Sequence, residues 1–163
     1  MIVLGIDPGT AATGYGVVRG TPLGPHTLIE CGVIRTDPRD SLPRRLLDIH
    51  DGVRTLIERH QPDAVAVEDV FYARNVRTTV VLGHARGVVL LAAEAAGISI
   101  SEYPPAAIKK AVVGTGAATK HQVQYMVARL LRLKTFPSPS DAADGVAAAL
   151  AHVMSGSAAR ARV

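Results

Sequence analysis

Ile2-Val3-Leu4-Gly5-Ile6-Asp7-Pro8-Gly9-Thr10 sets a short apolar strand against an acidic, glycine-bearing turn. A second apolar run, Ala64-Val65-Ala66-Val67, also ends in a carboxylate, Glu68. Carboxylates at strand ends lie on the rim of a sheet, where they can converge. A third acidic motif, Ser140-Asp141-Ala142-Ala143-Asp144-Gly145-Val146, opens an alanine-rich stretch. Its two aspartates are three residues apart and share one face of a helix. Four carboxylates meeting at one point repel unless divalent cations hold them, which is the arrangement a two-metal phosphodiester-cleaving site needs.

Working outward, strands are predicted at 2–7, 14–19 and 26–36, with a turn at 8–13. These three read as an antiparallel meander. Leu42, Leu46, Ile49, Val53, Leu56 and Ile57 recur at helical spacing, opposite Arg44, Asp48, Asp51 and Glu58, and Pro62 stops that helix. A buried strand at 65–68 follows, then a helix from about 77 to 96 ended by Gly97. The pattern continues with a strand at 98–103, a short helix from Pro104-Pro105 to Val113, a helix at 120–133 and a last helix from Ser140 to about Met154. Five strands with helices between them indicate one mixed-sheet α/β domain over residues 1–154. The remainder, 155–163, is small, polar and basic, and is expected to be a disordered tail.

The 163 residues suffice for one sizeable core, which must be aliphatic because there is no tryptophan and little aromatic content. One cysteine, Cys31, precludes an internal disulfide and fits a reducing compartment. The N-terminus reads as a strand rather than a signal peptide, and the cytoplasm is the expected location. The longest apolar region, Val80 to Ile98, is broken by His84, Arg86 and Glu94 and makes a poor membrane span. Charge is unevenly spread. Residues 1–108 carry 10 Lys and Arg against 12 Asp and Glu, a net of −2; residues 109–163 carry 8 against 2, a net of +6. A basic surface beside an acidic cluster suits a polyanionic substrate with metal ions between.

Each motif has a simpler structural reading. Asp-Pro-Gly is a good turn in its own right. Asp141 and Asp144 can cap a helix as N-cap and capping-box partner. The joint presence of Asp7 and Glu68 tips the balance toward a metal site. Asp69 points to the opposite side of its strand from Glu68. Phe71 and Tyr72, near Arg74 and Arg77, can stack on unpaired bases, or Phe71 can tuck under its loop. The loop Gly114-Thr115-Gly116-Ala117-Ala118-Thr119-Lys120 lacks phosphate-loop spacing and is read as carrying Lys120 toward a substrate phosphate. The histidines show no metal-ligand spacing, and a structural zinc site is not expected.

Taken in order, five blocks closely resemble the RuvC family of bacterial Holliday-junction resolvases. They are Gly5-Ile6-Asp7-Pro8-Gly9-Thr10 with Thr13-Gly14-Tyr15-Gly16; Pro62 to Phe71; Leu82-Gly83-His84-Ala85-Arg86-Gly87-Val88; Val112-Val113-Gly114-Thr115-Gly116; and Asp141-Ala142-Ala143-Asp144. The resemblance implies a ribonuclease-H-like fold: a mixed five-stranded sheet flanked by helices. It implies a homodimer that nicks four-way DNA junctions in pairs, in recombination and repair, with two Mg²⁺ or Mn²⁺ ions per active site. It also implies the RuvA–RuvB branch-migration complex as a partner, and no membrane. The family's catalytic, metal-holding carboxylates fall on Asp7, Glu68, Asp141 and Asp144. Its stacking aromatic falls on Phe71, and its DNA-contacting lysines on Lys109 and Lys120. Tyr72, Arg74, Arg77 and Lys110 are further expected DNA contacts. Some relatives carry His where this chain has Asp141, and relatives commonly carry an uncharged residue where it has Asp69.

Two other classes compete. Sugar kinases and actin-like ATPases also begin with a strand, Asp-x-Gly-Thr and a hairpin, but need a second such lobe for ATP. A non-catalytic junction-binding module accounts for the basic charge but leaves four placed carboxylates idle. The expected chemistry is metal-assisted hydrolysis to a 5′-phosphate and a 3′-hydroxyl, with Asp7 between the two ions.

Overall fold

A computed structural model describes residues 1–69 and 75–156. Among the described residues ten elements follow one another: β1 (Ile2–Asp7), β2 (Ala12–Arg19), β3 (Thr27–Arg35), α1 (Leu42–His60), β4 (Ala64–Glu68), α2 (Val76–Ala95), β5 (Ser99–Tyr103), α3 (Pro105–Val113), α4 (Lys120–Leu130) and α5 (Ser140–Ser155). The strands form one sheet in the order β3-β2-β1-β4-β5. β1, β2 and β3 pair antiparallel, while β4 is parallel to β1 and to β5. This is the meander followed by alternating helices and strands that the sequence pattern predicts. β2 begins two residues earlier than expected, because Ala12 already pairs with Arg35.

Period-two alternation sorts each strand between two cores. Val3, Ala66 and Tyr103 face α3, α4 and α5. Leu4, Ile6, Val65 and Val67 face α1 and α2. Asp7 and Glu68 follow Ile6 and Val67, which are neighbours across the β1–β4 ladder, so both carboxylates emerge on the α5 face. Asp69 belongs to the opposite face. There it meets Arg86 of α2, with Oδ1 3.4 Å from Nε, and the same guanidinium pairs with Glu102 of β5. The expectation that Asp69 turns away from Glu68 therefore holds, and Arg86 is its partner.

α5 lies against the sheet almost without intervening side chains. A Cβ at Gly5 would come within 2.2 Å of the Gly145 carbonyl oxygen, and one at Gly14 within 1.8 Å of the Asp141 carbonyl oxygen. One at Gly16 would strike the Val146 backbone at 2.5 Å. Glycines at these strand positions let helix backbone touch strand backbone. The run from Ala142 to Val153 is correspondingly buried apart from Asp144.

α4 ends at Leu130, short of the expected Leu133. Arg132 takes a positive φ of 54°, and the Leu133 amide bonds back to the Ala128 carbonyl, closing the helix end. Among the described residues α2 is the one helix long and apolar enough to cross a membrane, by length and composition only. Ala85, Val89, Ala92 and Ala93 of α2 sit in the domain core, and its Arg86 is ion-paired to the sheet. The outer side is apolar and open: Val80 is 54% exposed and Leu91 61%.

The close approach of α5 gives a direct test. Gly14→Ala should destabilise the chain by about 1–3 kcal/mol or more, because backbone and not a flexible side chain must yield. Urea unfolding measures this. The same substitution should push Asp141 and Asp144 away from Asp7 and lower metal-dependent nicking by about a hundredfold, as misplacement of about 1 Å can.

Candidate active site

The candidate side chains reach the site from five elements. Asp7 stands at the end of β1, and the turn beyond it is clamped by the fully buried Thr13. Thr13 Oγ1 donates to the Gly9 carbonyl at 2.7 Å and accepts from the Gly9 amide at 3.3 Å. Glu68 closes the neighbouring parallel strand β4. Asp141 and Asp144 come from the first two turns of α5, and Lys109 from α3. Lys120 opens α4, whose start is fixed by a capping box between Thr119 and Gln122.

Asp7, Glu68, Asp144, Lys109 and Lys120 line one pocket, whose apolar wall is Pro105, Ile108 and Val123. Asp141 is half-buried beside it rather than in its lining, yet its charge bears on Asp7. Lys110 and Arg77 are exposed and lie outside the pocket lining. Phe71, Tyr72 and Arg74 lie outside the described residues. The capping reading of Asp141 and Asp144 is corrected. The N-cap position of α5 is Pro139, with no side-chain cap, and Asp144 Oδ2 instead accepts a hydrogen bond from Lys120 Nζ at 2.7 Å.

The electrostatics of the pocket are those of crowded acids. Burial, then the charges of Asp144 and Asp141, push the Asp7 carboxyl up to about 6, with Lys120 opposing. Burial, then Asp7 and Asp144, raise Glu68 further, to about 8, against the pull of Lys109 and Lys120. The Lys120 ammonium is stabilised in turn, first by its hydrogen bond to Asp144. A site that holds acids near neutrality in their protonated form lacks positive charge at its centre.

A divalent cation is the species that would supply it. The four carboxylates are hard oxygen donors, the set favoured by Mg²⁺ and Mn²⁺ rather than zinc. With the side chains as they stand, no three Asp, Glu, His or Cys groups among the described residues converge on one point. Asp144 leans to Lys120. The donor set fits the ion in chemistry, and coordination would require side-chain rotation about well-fixed backbones. Sequence reasoning missed the apolar wall of the pocket and the clamping role of Thr13. Thr13 is visible in the sequence only as part of a motif, and burial gives it its meaning.

A five-stranded mixed sheet with acidic strand ends facing a helix that brings two more aspartates defines a ribonuclease-H-like nuclease. The family model for the crossover junction endodeoxyribonuclease RuvC matches residues 3–152. The chain belongs to this family of metal-dependent endonucleases. Among curated relatives, it is 51% identical to the crossover junction endodeoxyribonuclease RuvC of Salinispora arenicola over 96% of this chain and 89% of that one. The RuvC of Syntrophomonas wolfei is 48% identical, covering 95% and 90%. A solved structure of Thermus thermophilus RuvC in complex with a Holliday junction substrate superposes with a TM-score of 0.91 at 38% identity, covering 96% of this chain and 95% of that one.

Linkage between protonation and folding follows from the raised acids. Unfolded, Asp7 and Glu68 titrate near 3.8 and 4.5; folded, near 6 and 8. The folded state therefore binds more protons between these limits, and stability falls as pH rises from about 4 to about 8. In EDTA the chain should lose a few kcal/mol across this range, because each tenfold change in a carboxyl's proton affinity is worth on the order of 1 kcal/mol. Asp7→Asn and Glu68→Gln should each flatten the profile. Denaturant melts at several pH values, with and without Mn²⁺, measure it; a profile unchanged in both variants would remove the crowded-acid account.

Proposed function

We propose that this chain resolves four-way DNA junctions by hydrolysing one phosphodiester in each of two symmetry-related strands. The observation that carries the reading is the single pocket in which Asp7, Glu68 and Asp144 stand beside Lys109 and Lys120. Carboxylates alone would repel a DNA strand; lysines in the same wall supply the phosphate contacts. Asp7, Glu68, Asp141 and Asp144 are the residues we assign to hold two divalent ions, Mg²⁺ or Mn²⁺. Such ions, when bound, supply Lewis-acid activation of water and stabilisation of the leaving 3′-oxygen.

The chain's own residues do the rest. The backbone contact between α5 and the β1–β2 glycines fixes Asp141 and Asp144 relative to Asp7. Lys120 exchanges its partner, leaving Asp144 for a substrate phosphate as the carboxylates turn inward. Lys109 balances Glu68 and faces the same strand. The apolar wall of Pro105, Ile108 and Val123 keeps bulk water from one side of the pocket, which strengthens each charge interaction. Phe71 is assigned to stack where pairing is opened at the junction, with Tyr72, Arg74, Arg77 and Lys110 as flanking contacts. Residues 1–154 act as one nuclease domain in the cytoplasm, and RuvA–RuvB is the proposed source of positioned junctions.

Paired nicks need two sites at a fixed spacing, and α2 supports a two-fold dimer. Val80, Gly83, His84, Gly87, Val88 and Leu91 of α2 form an apolar groove with Leu46 of α1. A Cβ at Gly83 or Gly87 would meet nothing within 4 Å in this chain, so these small residues relieve no internal contact. They leave room for a second helix to approach.

Two experiments test the proposal. Asp7→Asn should bind a four-way junction about as tightly as wild type and lose about a thousandfold or more of its Mn²⁺-dependent nicking, the loss of several kcal/mol of transition-state stabilisation. Gel-shift and cleavage assays on a junction and a linear duplex measure both, and full activity in this variant would reject the site. Leu91→Glu, at an exposed point of α2, should give a folded monomer by sedimentation velocity that no longer nicks both strands together. A wild-type monomer at micromolar concentration that still makes paired nicks would exclude the dimer.

A further inference from the structure

A second groove opens on the basic side of the domain, between α4 and the segment 131–139 that returns from its end toward α5. Tyr125, Ala128, Arg129, Leu133, Lys134, Thr135 and Phe136 line a volume of about 430 Å³, within the range that holds small organic ligands. Two aromatic rings are presented to solvent here, Tyr125 at 49% and Phe136 at 41% exposure. Phe136 folds back edge-on to His121, with ring centroids 5.7 Å apart. His121, Tyr125 and Arg129 recur at every fourth residue and lie along one face of α4.

Charge and position narrow the occupant. From residue 103 to 140 the sequence has six Lys and Arg and no Asp or Glu. Among the described residues, Arg129, Arg132 and Lys134 have no acidic partner. The groove is therefore lined and flanked by uncompensated cations. His121, against which the groove's Phe136 packs, adjoins Lys120, which lines the catalytic pocket. From Lys120 to Arg129 the helix rises about 13 Å and turns about 180° beyond two full turns, so a strand leaving the pocket reaches the groove by passing around α4 near His121 and Tyr125. A polyanion is indicated, and the aromatic rings distinguish which kind. In a duplex the base faces are covered by one another and offer nothing to Tyr125 or Phe136. In an unpaired strand each base has a free face to stack, while its phosphates take Arg129 and Lys134.

We infer that the groove between α4 and segment 131–139 is a stacking site for an unpaired stretch of the DNA strand that enters the catalytic pocket. The inference rests on the proposed DNA-cleaving role of that pocket. It adds a second place, besides the segment that carries Phe71, where an opened junction is held.

The test uses the full chain and a fluorescent oligothymidylate of about 12 nucleotides, a length within known single-strand site sizes. A blunt duplex and a four-way junction serve as comparison ligands. Tyr125→Ala and Phe136→Ala should each weaken oligothymidylate binding by about five- to hundredfold, with duplex affinity changed by no more than about twofold. Tyr125→Phe should retain binding, because the ring and not the hydroxyl does the stacking. Arg129→Ala and Lys134→Ala should each lower the slope of log affinity against log salt by about 0.7 on the single strand. Urea melts establish that every variant is folded. Unchanged oligothymidylate binding in both alanine variants would overturn the inference and leave the groove to another partner, such as an acidic peptide. Equal losses on single strand and duplex would overturn it too. Wild-type cleavage of the junction is scored separately. If wild type cuts junctions while the alanine variants bind oligothymidylate normally, only the groove assignment fails. If the variants lose oligothymidylate while wild type does not cut, the groove stands and the nuclease reading fails.

Discussion

Backbone contact between α5 and the first two strands is the constraint on which the rest of this structure depends. Gly5, Gly14 and Gly16 have no side chain to hold the helix away; on the helix side Gly145 meets Gly5 and the Tyr15 backbone, Asp141 meets Gly14 and Val146 meets Gly16. A helix normally stands off a sheet by a layer of side chains. Here that layer is removed over the one region where two aspartates must reach a third. Where it lies on Gly5 the helix presents Gly145 and Ala149, which fits its alanine-rich composition.

Crowding the acids in this way has an electrostatic consequence. Asp7 and Glu68 are half-buried, close to each other and to Asp144, and both are held in part protonated near neutral pH. Folding therefore stores unfavourable free energy at the site, to be released by cations. Two kinds are available: the lysines of α3 and α4, one of which already bonds to Asp144, and divalent metal. The same crowding makes the pocket repel DNA until it is neutralised. If Lys120 leaves Asp144 for a substrate phosphate as proposed, metal binding and substrate binding reinforce each other.

The opposite face of the sheet carries the complementary task. Arg86 ties α2 to Asp69, just past the end of β4, and to Glu102 within β5. Glu68 is the residue before Asp69, so the helix with the open apolar face is fastened one residue from a carboxylate proposed to hold metal. An uncharged residue at position 69 would leave Arg86 with Glu102 alone. Asp69 reads as an added fastening rather than a metal ligand, because alternation along β4 sends it to the other side of the sheet.

Much of this was legible in the sequence because it is local. Alternation placed Asp7 and Glu68 at strand ends, the i to i+3 spacing put Asp141 and Asp144 on one helix face, and the ordered blocks identified the family. The boundaries came close, as proline, glycine and capping signals act within a few residues. What the sequence could not reveal depends on pairs far apart in the chain. Asp144 could be a helix cap or a ligand until the fold brought Lys120 to it. The separation of Asp141 from the pocket lining was invisible, since helical spacing gives a shared face but not a depth. The glycines allow a turn or a close backbone approach, and only the packed helix shows that what approaches Gly14 and Gly16 is α5. The groove beside Tyr125 and Phe136 arises because segment 131–139 doubles back along α4, a path set by where α5 must begin. Sequence thus determined which residues carry charge and on which face of each element they stand. Tertiary structure decided which charges meet, because burial and distance, on which their energies depend, exist only in the folded chain.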